Sequence, residues 1–285
     1  MSTKNTHGVC PQGTVPAIDT RTRLFGVIGA PVGHSLSPAM HNAALQAMGY
    51  GAVYLAFHVT DPAGALAGMR ALGIGGLSIT IPHKVAIIDS LDELDPLAHR
   101  IGAVNTVVPR DGLLIGFNTD CFGAVAALKE TIDPAGQQVA LLGAGGAARA
   151  VGFGLMDAGA RVTLFNRSAG RGDDLARTLG VDCHPLNELR HHQADILINT
   201  TSLGMRPETA RTPVPPNCLR PGMVVMDIVY NPLETRLLRD ARAAGCDTID
   251  GVAMFVYQGA RQIELWTGRT APVDIMRRAV LAGLK

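Results

Sequence analysis

The amino-acid sequence predicts an α/β fold in two lobes, and three observations carry the prediction. Short apolar runs alternate with amphipathic stretches of helical length, as in βα units wound round a mainly parallel sheet. The chain has 285 residues, room for two domains of about 100–200 residues each. A glycine-rich turn at Gly143 follows one apolar run and precedes a helix near mid-chain, so a second βαβ series begins there.

Taken in order, Leu24–Ile28 reads as the first strand and ends at Gly29. Ser37-Pro38 opens a helix, with Ser37 as N-cap and Pro38 at the first helical position, where a missing N–H costs nothing. Val53–Val59 is a strand, Pro62–Leu72 a helix and Gly76–Ile79 a strand. Pro82 starts another helix, which puts Lys84 in its first turn. Ala103–Val108 and Leu113–Phe117 pair through Asp111-Gly112, a hairpin signal. The second unit begins near Asp120. Helix Phe122–Glu130 leads to strand Val139–Leu142, the glycine turn, and a helix to Ala158. Then come strand Arg161–Phe165, helix Gly172–Leu179, and strands Ile196–Asn199 and Val224–Ile228. Helices Val252–Thr267 and Val273–Leu284 close the chain. Pro207–Pro216 reads as a surface loop. The expected division is a disordered leader at 1–22, one domain from 23–121 plus 256–285, and a second at 122–255, the last helices returning to the first domain. Trp266 is expected to anchor the core or a domain contact.

Hydrophobic residues make up 47% of the chain and charged residues 17%, a composition that supports a packed core. The net charge is +1 with no basic block, which argues against nucleic-acid binding through a broad electrostatic footprint. The leader has no apolar stretch, so neither a signal peptide nor a membrane span is expected. Five cysteines without CxxC spacing argue against a disulfide framework or structural zinc, and for a reducing cytoplasm. His34, His41 and His83 lack a ligand pair with carboxylates, so no metal is expected. Cys121 reads as a packing residue.

Gly143-Ala144-Gly145-Gly146-Ala147-Ala148 fits GxGxxA, a dinucleotide fingerprint in its strand–turn–helix setting. Gly143 permits the tight turn, Gly145 lets a pyrophosphate approach the backbone, and the helix N-terminus offers unpaired N–H groups and a positive dipole end. This makes the second lobe a Rossmann-type domain. An NAD site wants an acidic residue at the end of the next strand, to hold the ribose 2′-OH. The chain has Asn166-Arg167-Ser168 there, with Arg171 beyond, and guanidinium groups suit a 2′-phosphate. The expected cofactor is NADP. The loop after Asn199-Thr200-Thr201 should border the nicotinamide, because it follows a strand of the nucleotide sheet.

Polar motifs collect in the first lobe. Ser35 and Ser37 put two hydroxyls at a helix start, a cradle for a carboxylate. Ser78-Ile79-Thr80-Ile81-Pro82-His83-Lys84 carries a strand into a turn with a lysine. Asn105-Thr106 and Asn118-Thr119-Asp120 add amides, hydroxyls and a carboxylate.

With these motifs in chain order, the sequence resembles the shikimate dehydrogenase family. The likeness rests on the serine pair before Pro38, Thr80-x-Pro-x-Lys84, Gly102-Ala103-Val104-Asn105-Thr106, Gly116-x-Asn118-Thr119-Asp120 and the glycine turn Gly143 to Ala147. It continues through Asn166-Arg167-Ser168, Asn199-Thr200-Thr201-x-x-Gly204-Met205, Asp227-Ile228-Val229-Tyr230-Asn231-Pro232 and Gly251-x-x-Met254-x-x-x-Gln258. It runs from about Leu24 to the end. It implies an N-terminal α/β substrate-binding domain, a Rossmann-type NADP-binding domain, and reversible NADPH-dependent reduction of 3-dehydroshikimate to shikimate in aromatic amino acid biosynthesis. Lys84 and Asp120 would form the catalytic pair. Ser35 and Ser37, with Tyr230, would hold the substrate carboxylate, and Thr80, Asn105, Asp120 and Gln258 the ring hydroxyls. Gly143, Ala144, Gly145, Gly146, Ala147, Asn166, Arg167, Ser168, Arg171, Thr200, Ile228 and Gly251 would contact NADP. The partners implied are small molecules, without nucleic acid or membrane, in a monomer or homodimer. Three positions depart from the family pattern: Ser78 stands where Asn is frequent, Cys121 follows Asp120 where Gly is usual, and Ser168 replaces the commoner Thr. A quinate/shikimate dehydrogenase of broader range is one alternative. A non-catalytic sensor of pathway metabolites is another, although Lys84 and Asp120 are both retained.

Overall fold

The structure, a computed structural model, describes residues 18–285. Most of the expected leader, including Cys10, lies outside the described residues.

The first sheet is built from β1 (Arg23–Gly29), β2 (Ala52–His58), β3 (Gly76–Ile79), β4 (Glu93–Leu94), β5 (Thr106–Arg110) and β6 (Leu113–Phe117). Its order is β2-β1-β3-β5-β6-β4. β1 runs parallel to β2 and β3, while β5 is antiparallel to both β3 and β6. The β5–β6 hairpin closes through Asp111 at φ 52° and Gly112 at φ 82°, two left-handed residues as a type I′ turn needs. Helices α1 (Ser37–Ala47), α2 (Pro62–Leu72), α3 (Pro96–Ile101) and α4 (Asp120–Lys129) are interleaved with these strands. α2 and α3 share one punctuation. Asp61 and Asp95 cap the first turns, Pro62 and Pro96 follow, and Gly73 and Gly102 end the helices in the left-handed region.

Two expected helix starts are corrected. Ser37 is the first helical residue and Leu36 occupies the N-cap position without a side-chain cap; the hydroxyl of Ser35 accepts from the Ser37 N–H at 3.2 Å instead. Pro82 does not open an α-helix. It lies in a run of turns through Val85, so Lys84 is not in the first turn of an α-helix, and a short 3-10 helix follows at Ala86–Ser90. The chain must reach β6 by Asp92, whose N–H donates to the Leu114 carbonyl. A 3-10 winding covers that span in fewer residues, rising about 2.0 Å per residue against about 1.5 Å.

The second sheet contains β7 (Gln138–Leu142), β8 (Arg161–Asn166), β9 (Cys183–Pro185), β10 (Ile196–Asn199), β11 (Val224–Asp227) and β12 (Asp247–Ile249). Its order, β12-β11-β10-β7-β8-β9, is parallel throughout. The central strands are buried on both faces, which is why they read as continuous apolar runs. Helices α5 (Gly146–Asp157), α6 (Ala169–Leu179) and α7 (Arg236–Ala243) belong to this lobe. α4 and α6 begin two and three residues before their expected starts at Phe122 and Gly172. Strand order reverses between β7 and β10, and a crevice outside the carboxyl ends of strands at such a switch point is where doubly wound sheets bind ligands. The Pro207–Pro216 stretch is looped as expected but pinned from within, because Val214 is buried in the same core as Leu219 and Leu237.

The last helices, α8 (Gly251–Thr267) and α9 (Val273–Gly283), pack against the first lobe. Val252, Val256, Ala260 and Ile263 of α8 and Met276 and Val280 of α9 form one apolar cluster with Met40 and Ala44 of α1. Trp266 stacks on Phe25 with ring centres 5.2 Å apart and donates from Nε1 to the Val107 carbonyl. Between the lobes, the Arg100 guanidinium of α3 pairs with Asp157 at the end of α5 at 3.1 Å and lies over the Phe153 ring.

Candidate active site

The turn after β3 and the start of α4 bring Lys84 and Asp120 together. The Val104 N–H donates to the Lys84 carbonyl at 2.8 Å, tying the turn to the segment that leads into β5. At the start of α4, Asn118 accepts from the Asp120 N–H and donates to the Ala103 carbonyl. The Lys84 ammonium then donates to Asp120 Oδ2 at 2.6 Å. The side chains are 32% and 12% exposed, so the ammonium can be reached from solvent while the carboxylate is mostly enclosed. Asn105 Nδ2 donates to the other oxygen, Asp120 Oδ1, at 2.8 Å. Asn105 Oδ1 accepts from the Thr119 N–H and from the Thr106 hydroxyl, both at 2.8 Å. The cluster therefore presents a proton donor held by a fixed carboxylate, beside a fully bonded amide. Such a set can give a proton to, or take one from, an oxygen placed next to Lys84.

The other expected first-lobe residues lie at the head of α1, in the turn after β3, on α8 and in the loop after β11. Ser35 and Ser37 stand at the head of α1. Thr80 packs its methyl against Gly29, and its hydroxyl makes no hydrogen bond among the described residues. Gln258 lies on α8 against Gly123 of α4, its amide donating to the Phe255 carbonyl at 2.8 Å. Tyr230 stacks on Phe255 at 4.8 Å and joins the α1–α8–α9 cluster, and burial raises its phenol's pKa. Ser78, one of the positions that depart from the family pattern, is tied into the protein interior. Its hydroxyl accepts from Tyr54 at 2.6 Å and donates to Gln262 Oε1 at 2.7 Å, so its one proton is already committed inside the protein.

Behind these groups lies a buried polar layer that sequence reading missed. His41 stacks on Tyr54 with ring centres 4.1 Å apart, its Nδ1 is 2.9 Å from the Ser37 carbonyl, and burial pulls its pKa down to about 4. The ring is thus neutral near pH 7, and Nδ1 carries the proton donated to that carbonyl. Gln262 follows Gln258 by four residues, which puts both on one face of α8; that spacing was the available signal.

In the second lobe, Gly143 ends β7 at φ 109°, and an added Cβ there would press on Thr200 Oγ1 at 2.9 Å. Thr200 is engaged already, its hydroxyl donating to the Leu142 carbonyl at 2.5 Å. Ala144 follows on the turn, which ends at Gly145 in the N-cap position of α5, with no side chain capping the helix. Cβ atoms at Gly145 or Gly146 would meet nothing within 4 Å, so open space faces the free N–H groups of Gly146, Ala147 and their neighbours. Asn166 ends β8 and donates to the Ser168 carbonyl at 2.7 Å, shaping the turn into α6. Arg167 and Arg171 are exposed and form no ion pair among the described residues. An open anion cradle with two free guanidinium groups one strand away fits a dinucleotide carrying an extra phosphate. Gly251 lies against the backbone of Ile228 and Val229, too close for a Cβ, which gives it a packing reason of its own. No hydrogen bond or ion pair among the described residues joins this turn to the Lys84–Asp120 cluster.

Asp227, at the end of β11, is fully buried. It accepts from Asn199 Nδ2, the Val229 N–H and the Thr235 hydroxyl, yet burial outweighs these donors and raises its pKa to about 6. It braces the two loops that leave β10 and β11. Burial, with the neighbouring Asp120 charge, pushes the Cys121 thiol up to about 12, so it is a protonated packing group rather than a nucleophile. The four described cysteines are free thiols. Among the described residues no group of three or more His, Cys, Asp or Glu side chains is placed to hold a metal, and no helix is long and apolar enough to cross a membrane.

Comparisons with known proteins follow this geometry. The family model for the shikimate dehydrogenase substrate binding domain matches residues 27–107, that for shikimate / quinate 5-dehydrogenase residues 126–211, and that for the shikimate 5'-dehydrogenase C-terminal domain residues 251–281. The shikimate dehydrogenase (NADP(+)) of Moorella thermoacetica is 50% identical over 277 residues, covering 92% of this chain and 94% of that protein. A crystal structure of shikimate dehydrogenase in complex with NADP+ superposes with a TM-score of 0.92 at 40% identity, covering 97% of this chain and 100% of the other. The enzyme of Thermus thermophilus, in complex with NADP(H) and shikimate, superposes with a TM-score of 0.87 at 39% identity, covering 92% and 100%.

Proposed function

The chain belongs to the shikimate dehydrogenase family, and from that premise we propose that it catalyses the reversible NADPH-dependent reduction of 3-dehydroshikimate to shikimate, an oxidoreductase step of aromatic amino acid biosynthesis. The observation that carries this reading is the contact of Lys84 Nζ with Asp120 Oδ2 at 2.6 Å, beside the Asn105 amide.

NADPH, when bound, supplies the hydride for the ring carbonyl. The chain's own residues do the rest. Negative charge that develops on the C3 oxygen is stabilised by the Lys84 ammonium, which gives that oxygen its proton. In the oxidative direction Lys84 takes the proton back from the C3 hydroxyl. Asp120 holds the ammonium in place, and its enclosed oxygens accept a neighbouring ring hydroxyl. Asn105, Thr80 and Gln258 bind the remaining hydroxyls, for which Gln258 swings away from its own helix. Ser35 and Ser37 hold the carboxylate, with Tyr230 beside them. Gly143, Ala144, Gly145, Gly146 and Ala147 cradle the pyrophosphate. Asn166, Arg167, Ser168 and Arg171 take the adenosine ribose with its 2′-phosphate, and Thr200, Ile228 and Gly251 border the nicotinamide half. Residues 23–121 with 256–285 act as the substrate domain and 122–255 as the NADP domain; their approach excludes water from the crevice. The enzyme works in the cytoplasm as a monomer or homodimer.

The test is a grid of initial rates on the purified protein, with shikimate or quinate against NADP or NAD. Shikimate with NADP should give the highest kcat/KM. Equal rates with quinate would move the reading to a broader quinate/shikimate dehydrogenase, and no NADPH formation with shikimate would remove it.

A further inference from the structure

We propose that Gln262 is a positioning residue of this site, acting through Thr106 to fix the Asn105 amide and, through it, Asp120. The proposal rests on the functional reading above and adds a residue to it.

Gln262 sits on α8, is 1% exposed, and reaches into the first sheet. Its two amide ends do opposite things. Oε1 accepts from the Ser78 hydroxyl at 2.7 Å, and that hydroxyl accepts from Tyr54 at 2.6 Å. Nε2 donates to the Asn105 carbonyl at 3.1 Å and to the Thr106 hydroxyl oxygen at 2.9 Å. Thr106 has one proton to give. With Gln262 donating to its oxygen, that proton goes to Asn105 Oδ1 at 2.8 Å. Asn105 Oδ1 is thereby filled, and Nδ2 turns to Asp120 Oδ1 at 2.8 Å. Asp120 Oδ2 receives Lys84 at 2.6 Å.

The donors thus run in one sense from Tyr54 through Ser78, Gln262, Thr106 and Asn105 to Asp120, where the chain meets the ammonium coming from the other side. A bonded sequence of this kind is polarised along its length, and a break in it is felt at its end. Apolar packing alone would have served a residue buried only to fill space on α8. An amide whose donor and acceptor ends are both used, with strand β3 on one side and the head of β5 on the other, sets directions as well as volume.

Gln262→Met keeps the size of the side chain and removes both functions. Thr106→Val removes only the relay hydroxyl. Each variant should lower kcat for shikimate oxidation about tenfold, the equivalent of one lost hydrogen bond at the reacting centre, with the dissociation constant of NADPH unchanged by fluorescence titration. Because both act on one relay, the double variant should be no slower than the slower single variant. Gln262→Leu, which can neither donate nor accept, should resemble Gln262→Met. Wild-type kcat in Gln262→Met, or losses that multiply in the double variant, would overturn the proposal. If Gln262→Met does not fold, Thr106→Val alone decides: a wild-type kcat there overturns it. Wild-type protein that does not turn over shikimate removes the functional reading and this proposal with it. An active wild type with an indifferent relay removes this proposal alone.

Discussion

Replacing Asp120 by Asn keeps the shape of the side chain and leaves one acceptor where there were two. In the native site both oxygens are committed, Oδ2 to the Lys84 ammonium at 2.6 Å and Oδ1 to the Asn105 amide at 2.8 Å. An Asn at this position can turn its oxygen to only one of these donors, and its own NH2 then faces the other. Asn105 cannot turn in compensation, because its oxygen is held by the Thr119 N–H and the Thr106 hydroxyl. The variant therefore loses a charge-assisted bond, worth about 1.5–3 kcal/mol. If that loss falls on the aim of the ammonium in the transition state, kcat drops roughly 10- to 150-fold. Steady-state rates of NADPH formation with shikimate measure kcat and KM, and NADPH fluorescence measures cofactor affinity independently. The expected result is a low kcat with cofactor affinity unchanged. Wild-type kcat/KM for shikimate, or an equal loss of NADPH affinity, would refute the reasoning.

Three further outcomes are expected. The double variant Arg167→Ala, Arg171→Ala should raise KM for NADP at least about tenfold, since charge-assisted phosphate bonds are lost, and leave KM for NAD unchanged; parallel changes for both cofactors would dismiss a 2′-phosphate contact. Asp227 titrates at about 6 in the folded protein against 3.8 for an ordinary Asp. The folded chain therefore keeps a proton that the unfolded chain has released, so this group's stabilisation is complete below pH 4 and is lost as pH rises through 6. The difference is up to about 3 kcal/mol. Asp227→Asn should remove that part of the pH dependence, read as the wild-type-minus-variant difference in urea unfolding free energy between pH 4 and pH 7, and a difference independent of pH would contradict the assignment. At Gly76 an added Cβ would lie 2.2 Å from Trp266 Nε1, so Gly76→Ala should destabilise by about 1–3 kcal/mol or more. An unchanged Tm would show that the indole can move aside.

The sequence exposed the longer strands of both sheets because their interiors are apolar and their ends carry glycine, proline or asparagine. The β5–β6 hairpin was legible from Asp111-Gly112 alone. Helix α3 was not, although Asp95-Pro96 and Gly102 repeat the punctuation of α2; its six residues are too few for an apolar period to emerge. α7 was missed because Arg236, Arg239 and Arg242 mask the buried Leu237, Leu238 and Ala241. The short edge strands β4, β9 and β12 have too few residues to alternate visibly. In the candidate site, single residues were visible where a motif carried them, as at Lys84, Asn105 and Asp120. What lay behind them was not. Gln262, His41 and Tyr54 come from three elements and meet only in the folded chain; the four-residue spacing of Gln258 and Gln262 marks a shared face of α8 but not the distant strand that Gln262 serves. The hydrogen bonds of Ser78 were hidden for the same reason, since its partners are distant in sequence.

The first lobe is stitched from the two ends of the chain. Met40 and Ala44 find their apolar partners in Val252, Val256, Ala260, Ile263, Met276 and Val280. On the ribosome, where the N-terminal part emerges first, the outer face of α1 has nothing to bury against until the last helices have been made. The Rossmann lobe draws most of its core from one stretch of sequence, with Ala253 and Met254 of α8 added at the end, and can form most of its contacts earlier. Synthesis order and assembly order therefore run opposite ways: the lobe begun first is completed last, and a ribosome stalled before Gly251 would hold a nucleotide lobe short only of Ala253 and Met254 in its core, beside a first lobe that still lacks the whole apolar face of α8 and α9.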